Sequence, residues 1–141
     1  MNDQSGFYSL AIQNSRAAVR AARDWLRELG VRHGLGEEPQ YSLDLCANEL
    51  LANIVEHASS GADGEIRLEF RVEQDAVWLT VIDDGPPFDP LAYPAPPLSN
   101  SLATTSVGGR GLFLARQFAE AFHYERVDRC NRSTVRIPKA R

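Results

Sequence analysis

The 141-residue chain predicts a single α/β domain: a two-layer sandwich in which three helices cover one face of a mixed, mostly antiparallel sheet. Three observations carry this reading. Apolar residues recur at helical spacing in three segments. Short period-two runs mark five strands. The elements follow the order strand, helix, helix, strand, strand, long loop, helix, strand, strand, and an order of this kind gathers helices on one side of a sheet. The length suits one domain, residues 1–141, with its own core and no room for a second.

Phe7 to Ile12 alternates weakly and reads as the first strand. Asn14 or Ser15 can cap a helix running to about Leu29, with Ala18, Ala22, Trp25, Leu26 and Leu29 as its apolar stripe and Gly30 as a stop. Arg16, Arg20, Arg23 and Arg27 repeat at helical spacing on another face. They form either a solvated basic face or a surface for an acidic partner. Val31 to Pro39 is a glycine-containing connector, and Pro39 falls at or just before a helix N-terminus.

The second helix is expected from about Tyr41 to Ala58, followed by a turn cluster from Ser59 to Gly64. Two strands come next, Glu65 to Glu73 and Ala76 to Asp83, joined tightly at Gln74 and Asp75. Ile66, Leu68, Phe70 and Val72 give the first of them one buried face. Six of the eight prolines then fall between Pro86 and Val107. Proline removes backbone donors, so this stretch reads as a long loop, a functional lid or a disordered segment. A third helix is expected from Gly111 to about Ala121. Two closing strands, Phe122 to Val127 and Thr134 to Ile137, flank a turn at Asp128 to Arg132.

Composition narrows the function classes. Apolar content of 43% and charged content of 24% are ordinary for a soluble globular protein. A net charge of −4 and a pI near 5.3 argue against a general nucleic-acid binder. No run of about 18 apolar residues is present, so no spanning helix is expected. Met1 to Gly6 lacks the basic and apolar regions of a secretory signal. Cys46 and Cys130 fit no metal pattern and read as free thiols of a cytoplasmic protein.

Three motifs carry the chemistry. Glu49, Asn53 and His57 stand at i, i+4 and i+8, drifting by only about 40° per step, and so share one helix face. Such a pair of polar residues is either a surface hydrogen bond or a site for a metal and a proton. Mg²⁺ takes hard oxygen ligands such as a carboxamide oxygen and bridges phosphates. His57 could orient the site, contact phosphate or cap the helix. Asp83, Asp84 and Gly85 end an apolar strand, where turn chemistry is the common role. Gly108, Gly109, Arg110, Gly111 and Leu112 open an amphipathic helix. Glycines let backbone N–H groups approach phosphate, and the helix N-terminus adds its positive dipole end. Arg110 could pair with a phosphate or face solvent. No Gly-x-x-x-x-Gly-Lys-Ser/Thr sequence supports a P-loop, and the signature set of eukaryotic-type protein kinases is missing.

In this order and spacing the motifs resemble the GHKL (Bergerat-fold) ATP-binding superfamily of gyrase, the heat-shock chaperone, histidine kinases and the mismatch-repair protein. More closely, they resemble the stand-alone bacterial anti-sigma-factor serine/threonine kinases. The resemblance runs over nearly the whole chain. It implies ATP and Mg²⁺ as cofactors, Asn53 as the metal ligand and Glu49 as acceptor of the proton from an attacking hydroxyl. It also implies Asp83 as acceptor for the adenine amino group, with Gly85 allowing close approach of the base. Guanine lacks that donor at the equivalent position. Gly108 to Leu112 would hold the phosphates, and Ser133 or Thr134 would supply a hydroxyl beside the adenine. The superfamily's second glycine after the acid is replaced by Pro87.

The function implied is an anti-sigma factor that phosphorylates a STAS-type anti-anti-sigma protein and otherwise sequesters a sigma factor. The resemblance implies no direct nucleic-acid or membrane contact and is compatible with a homodimer. Two alternatives stand beside it: a sequestering regulator without kinase activity, and a detached histidine-kinase ATP-binding domain. No phosphoacceptor hairpin precedes the first strand, which disfavours the latter.

Overall fold

The computed structural model describes residues 6–55, 64–87 and 119–139. They form a five-stranded sheet with two helices against one face. The elements are β1 (Gly6–Gln13), α1 (Arg16–Arg32), α2 (Glu37–Asn53), β2 (Glu65–Val72), β3 (Ala76–Asp83), β4 (Ala121–Val127) and β5 (Cys130–Pro138). The sheet order is β1-β2-β3-β5-β4. Every neighbouring pair is antiparallel, so the mixed sheet expected from the element order is, among the described residues, wholly antiparallel. The third helix expected from Gly111 falls outside the described residues except at its end. There, Ala119 and Glu120 are not helical and β4 has begun by Ala121.

Period-two alternation decides which face is buried. On β2, Ile66, Leu68, Phe70 and Val72 are fully buried while Glu65, Arg67 and Arg71 are exposed. With Val77, Leu79 and Val81 of β3 and Val135 and Ile137 of β5, they pack against Ala22, Leu26 and Leu29 of α1. Leu43, Ala47, Leu50 and Leu51 of α2 complete the core. Each of the larger side chains contributes roughly 1.5–3 kcal/mol by leaving water, which is why the register holds: a one-residue slip would turn the whole set outward.

The outer face is a ladder of closed ion pairs. Arg132 lies between Glu69 and Glu125, and Arg136 pairs with Asp75 and Glu120. Trp78 sits between the guanidinium groups of Arg71 and Arg136.

Helix boundaries follow capping chemistry. Ser15, rather than Asn14, caps α1: its hydroxyl accepts from the Ala18 N–H at 3.1 Å. Ser15→Ala is therefore expected to cost about 1 kcal/mol, read as a lowered midpoint in urea unfolding. Gly30 does not end the helix. It lies buried within α1, where a Cβ would run into the Gln40 carboxamide. That carboxamide donates to the Arg27 carbonyl at 2.9 Å. The chain leaves helical geometry at His33, and Gly34 follows at φ +76°, where glycine carries no steric cost.

α2 begins at Glu37 instead of Tyr41, so Pro39 lies inside its first turn, where its missing N–H costs nothing. The α-helix runs to Asn53 and widens into a π turn at Ile54 and Val55, after which the expected extension to Ala58 leaves the described residues.

The β4–β5 connection is tighter than the sequence suggests. Only Asp128 and Arg129 turn the chain, at φ 52° and 66°. This is the left-handed pair that suits a two-residue hairpin. As a result β5 starts at Cys130, four residues before the expected Thr134.

Candidate functional site

The topology brings the polar residues to one end of the sandwich. Gln13 pairs with Glu65, Ile66 with Asp83, and Asp83 with Asn131, so the end of β1, the start of β2, the end of β3 and the start of β5 share one sheet edge. α1 leaves from this end. α2 runs back toward it, since Arg23, Val19 and Arg16 line the same cleft as Asn48, Ala52 and Val55. Asn53, at the C-terminal end of α2, and Asp83, at the C-terminal end of β3, therefore meet the same end of the helix–sheet interface. Glu49, Asn53, Asp83 and Asn131 are each only 2–5% exposed. Polar groups buried to that degree need a compensating partner or a task.

Asn53 and Glu49 are linked along α2. The Asn53 amide donates from Nδ2 to the Glu49 backbone carbonyl at 2.8 Å. This fixes the amide plane and leaves the buried Oδ1 with no hydrogen-bond partner among the described residues. A carboxamide oxygen presented in this way is the donor that Mg²⁺ takes, so the residue fits that ion. The Glu49 carboxylate accepts from Asn48 Nδ2 at 3.2 Å through Oε2.

At the strand end, Asp83 faces the helix layer, because its partners Ile66 and Asn131 are buried there. Its Oδ2 accepts from the Gly85 N–H at 3.0 Å and from Asn131 Nδ2 at 3.2 Å, so neither bond uses Oδ1. Burial pushes its carboxyl above the ordinary value of 3.8, and the neighbouring Asp84 adds to this. The Gly85 and Asn131 bonds and the charge of Arg126 act in the opposite direction without cancelling it.

The β3–β5 register separates the two candidate hydroxyls. Ser133 lies opposite Val81, on the same face as Asp83, and is buried. Thr134 lies opposite Thr80 on the other face and shares a 3.0 Å hydrogen bond with its hydroxyl. Thr134 is thus turned away from Asp83, and Ser133 is the hydroxyl on the site's side. Asp84 is exposed, as a turn residue should be. His57, the segment beyond Pro87, and Gly108, Gly109, Arg110, Gly111 and Leu112 lie outside the described residues.

Sequence reasoning missed Asn131, Tyr124 and Arg126. The sequence reads Asn131 as part of a turn, whereas in β5 it joins Ser133, Val135 and Ile137 in a buried period-two row. That alternation was the available signal.

The arginine face divides in two. Arg23 forks onto Asp44 of α2 at 3.0 and 3.1 Å, and Arg27 bridges Asp24 and Asp44 at 3.3 and 3.4 Å. Arg16 and Arg20 are exposed and make no ion pair with a described residue. They line a cleft of about 270 Å³ between α1 and α2 together with Val19, Arg23, Asn48, Ala52 and Val55.

An open antiparallel sheet with two described helices on one face, ending in a buried acid beside a glycine, defines a two-layer α/β sandwich, the fold class the GHKL resemblance implies. More particularly, residues 12–137 match the histidine kinase-like ATPase domain, and the chain belongs to that family. It is 38% identical over 112 residues to the serine/threonine-protein kinase BtrW of Bordetella bronchiseptica, covering 79% of each chain. Among solved structures, it is similar to the RsbU and RsbW domains of Rv1364c from Mycobacterium tuberculosis. There the TM-score is 0.65 at 15% identity, over 94% of this chain and 31% of the other. It is also similar to the histidine kinase domain of the blue-light activated kinase of Erythrobacter litoralis, with a TM-score of 0.53 at 19% identity over 88% and 60% of the two chains. These last two likenesses concern the fold.

Proposed function

We propose that this protein binds ATP with Mg²⁺ and acts as an anti-sigma factor with serine/threonine kinase activity toward an anti-anti-sigma protein. The observation that carries this reading is the buried set at one end of the sandwich: Asp83, whose hydrogen bonds to Gly85 and Asn131 both fall on Oδ2, and Asn53 one turn from Glu49 on α2. The similarity to a protein named as a serine/threonine kinase supports the same reading.

In this reading Asp83 Oδ1 accepts from the adenine amino group while Oδ2 stays tied to Gly85 and Asn131. Ser133 stands on the same face for a further contact to the base, direct or through water. Asn53 offers Oδ1 to Mg²⁺, which neutralises phosphate charge when bound. Glu49 takes the proton of the attacking serine or threonine hydroxyl, and burial keeps competing water from its carboxylate. Gly108 to Leu112 hold the phosphates. Incubating the purified protein with ATP and its anti-anti-sigma partner and looking for phosphoserine or phosphothreonine tests the activity. ATP binding without phosphate on the partner would leave a sequestering regulator.

Partner docking falls to Arg16 and Arg20. Of the four arginines these two retain unspent charge, and their cleft reaches Asn48, which holds the Glu49 carboxylate. An acidic segment seated there lies next to the proposed base. Arg20→Glu is expected to slow association with the anti-anti-sigma protein about tenfold at low salt and less at high salt, with ATP affinity unchanged. Arg27→Glu, at a residue already engaged by two aspartates, should have the smaller effect. Surface-plasmon kinetics at two salt concentrations distinguish these outcomes. Equal traces for wild type and Arg20→Glu would return the arginines to a solvated helix face.

A further inference from the structure

We propose that Asn131 is a positioning residue for base selection, holding the Asp83 carboxylate in the rotation that presents Oδ1 to the adenine amino group. Tyr124 and Arg126 lock Asn131 in that role. The inference rests on the reading of Asp83 as the adenine acceptor.

The hydrogen-bond pattern leaves the Asn131 amide one orientation. Its Oδ1 accepts from the Tyr124 hydroxyl and from Arg126 Nη1, the latter at 3.2 Å. Its Nδ2 donates to Asp83 Oδ2 at 3.2 Å and to the Pro86 carbonyl at 2.9 Å. A flipped amide would set its oxygen against a carboxylate and a carbonyl, and its NH₂ against a guanidinium and a hydroxyl. The bonds to Arg126, Asp83 and Pro86 would be lost together, since a guanidinium only donates and a carboxylate and a carbonyl only accept, so the orientation is fixed by chemistry.

Arg126 Nη1 also donates to the Gly85 carbonyl at 2.8 Å. Two side chains from the β4–β5 hairpin thereby clamp the turn after β3 at three points: the Asp83 carboxylate, the Gly85 carbonyl and the Pro86 carbonyl. The register puts Asn131 directly opposite Asp83 on the neighbouring strand, while Arg126 reaches the same turn from β4, one strand further out. Without Asn131, Oδ2 would keep only the Gly85 N–H, and the carboxylate would be freer to rotate about its Cβ–Cγ bond. A contact that depends on the direction of one oxygen suffers from that freedom, whereas phosphate binding elsewhere does not. The Asn131 bond also favours the ionised carboxylate against the burial that opposes it.

The test compares ATP with purine riboside triphosphate, which lacks the amino group, by calorimetry on the full chain. Wild type should prefer ATP by about ten- to a hundredfold, the loss expected for one hydrogen bond to a charged acceptor. Asn131→Ala should lose most of that preference, weakening ATP about tenfold while leaving the analogue nearly unchanged. Tyr124→Phe and Arg126→Gln should reduce the same ratio by a smaller factor, and they decide the matter if Asn131→Ala does not fold.

A role in stability alone would weaken both nucleotides equally, and that result overturns the proposal. So does a preference retained in Asn131→Ala while Asp83→Asn loses it. If Asp83→Asn itself keeps the preference, the reading of Asp83 falls, and the inference falls with it.

Discussion

Asp83→Asn should bind ATP and ADP about ten- to a hundredfold more weakly than wild type while folding at least as stably. The loss corresponds to one charge-assisted hydrogen bond, about 1.5–3 kcal/mol. The geometry explains why the fold survives. Oδ2 now accepts two bonds, from Gly85 and Asn131. An asparagine oxygen can take both, which leaves its NH₂ in the place of Oδ1. A donor would then face the adenine's own donor.

The pH behaviour gives an independent reading. Because burial holds the Asp83 carboxyl above 3.8, the folded state binds its proton more readily than the unfolded chain does. This group's contribution to stability is therefore fully present below 3.8 and is lost as pH rises through the folded-state value. Replacing the buried charge by a neutral amide removes that cost at neutral pH. Nucleotide binding has the opposite trend, since the ionised acceptor is needed, and wild-type affinity should fall on acidification through the same window. Calorimetric titration between pH 4 and 8, with thermal midpoints in the presence and absence of ADP, checks both. At a nucleotide concentration of 100 times the wild-type Kd, wild type should gain roughly 2.7 kcal/mol of stability, and about half of that gain or more should disappear in the variant. Equal affinities in wild type and Asp83→Asn would sink the assignment, as would a wild-type preference for GTP.

Two substitutions on α2 should separate binding from chemistry. Glu49→Gln is expected to keep ATP affinity and to lower phosphoryl transfer by about 10²–10⁴-fold, because an amide cannot accept the hydroxyl proton. Asn53→Ala is expected to weaken binding only when Mg²⁺ is present, with ADP affinity in a chelator unchanged.

Stability makes the Asn53 variant especially informative. The buried Oδ1 has no hydrogen-bond partner among the described residues, and an unsatisfied buried oxygen costs about 1–3 kcal/mol. Alanine removes that oxygen and favours the helix, offset by loss of the 2.8 Å bond to the Glu49 carbonyl. The nucleotide-free thermal midpoint should therefore hold or rise while Mg²⁺-dependent binding falls. A residue kept for structure would show the reverse. Full phosphoryl transfer by Glu49→Gln in a partner phosphorylation assay would remove Glu49 from the base role.

Much of this protein could be read from its sequence, because the strongest signals are periodic. The alternation of Ile66, Leu68, Phe70 and Val72 marked the buried face of β2, and it lies against α1 and α2 as the pattern requires. The four-residue spacing of Glu49 and Asn53 placed both on one helix face, and the structure buries both. Helix-end chemistry named Ser15 as a candidate cap, and the Ala18 N–H confirms it.

Other features depended on contacts between segments distant in sequence. Gly30 reads as a stop, yet Gln40 from the next helix makes it a close-approach site within α1. The evenly spaced arginines look alike, but Asp44 on α2 neutralises two of them and leaves Arg16 and Arg20 unengaged among the described residues. Ser133 and Thr134 are equivalent as neighbours, and only the β3–β5 register gives them opposite faces. Asn131 shows the physical reason most directly. Helix and strand periodicity is a property of consecutive residues, but hydrogen-bond partnership across a sheet is set by register. The two-residue turn at Asp128 and Arg129 lets β5 begin early enough to include Asn131, and the long-range β3–β5 register places it opposite Asp83, 48 positions away.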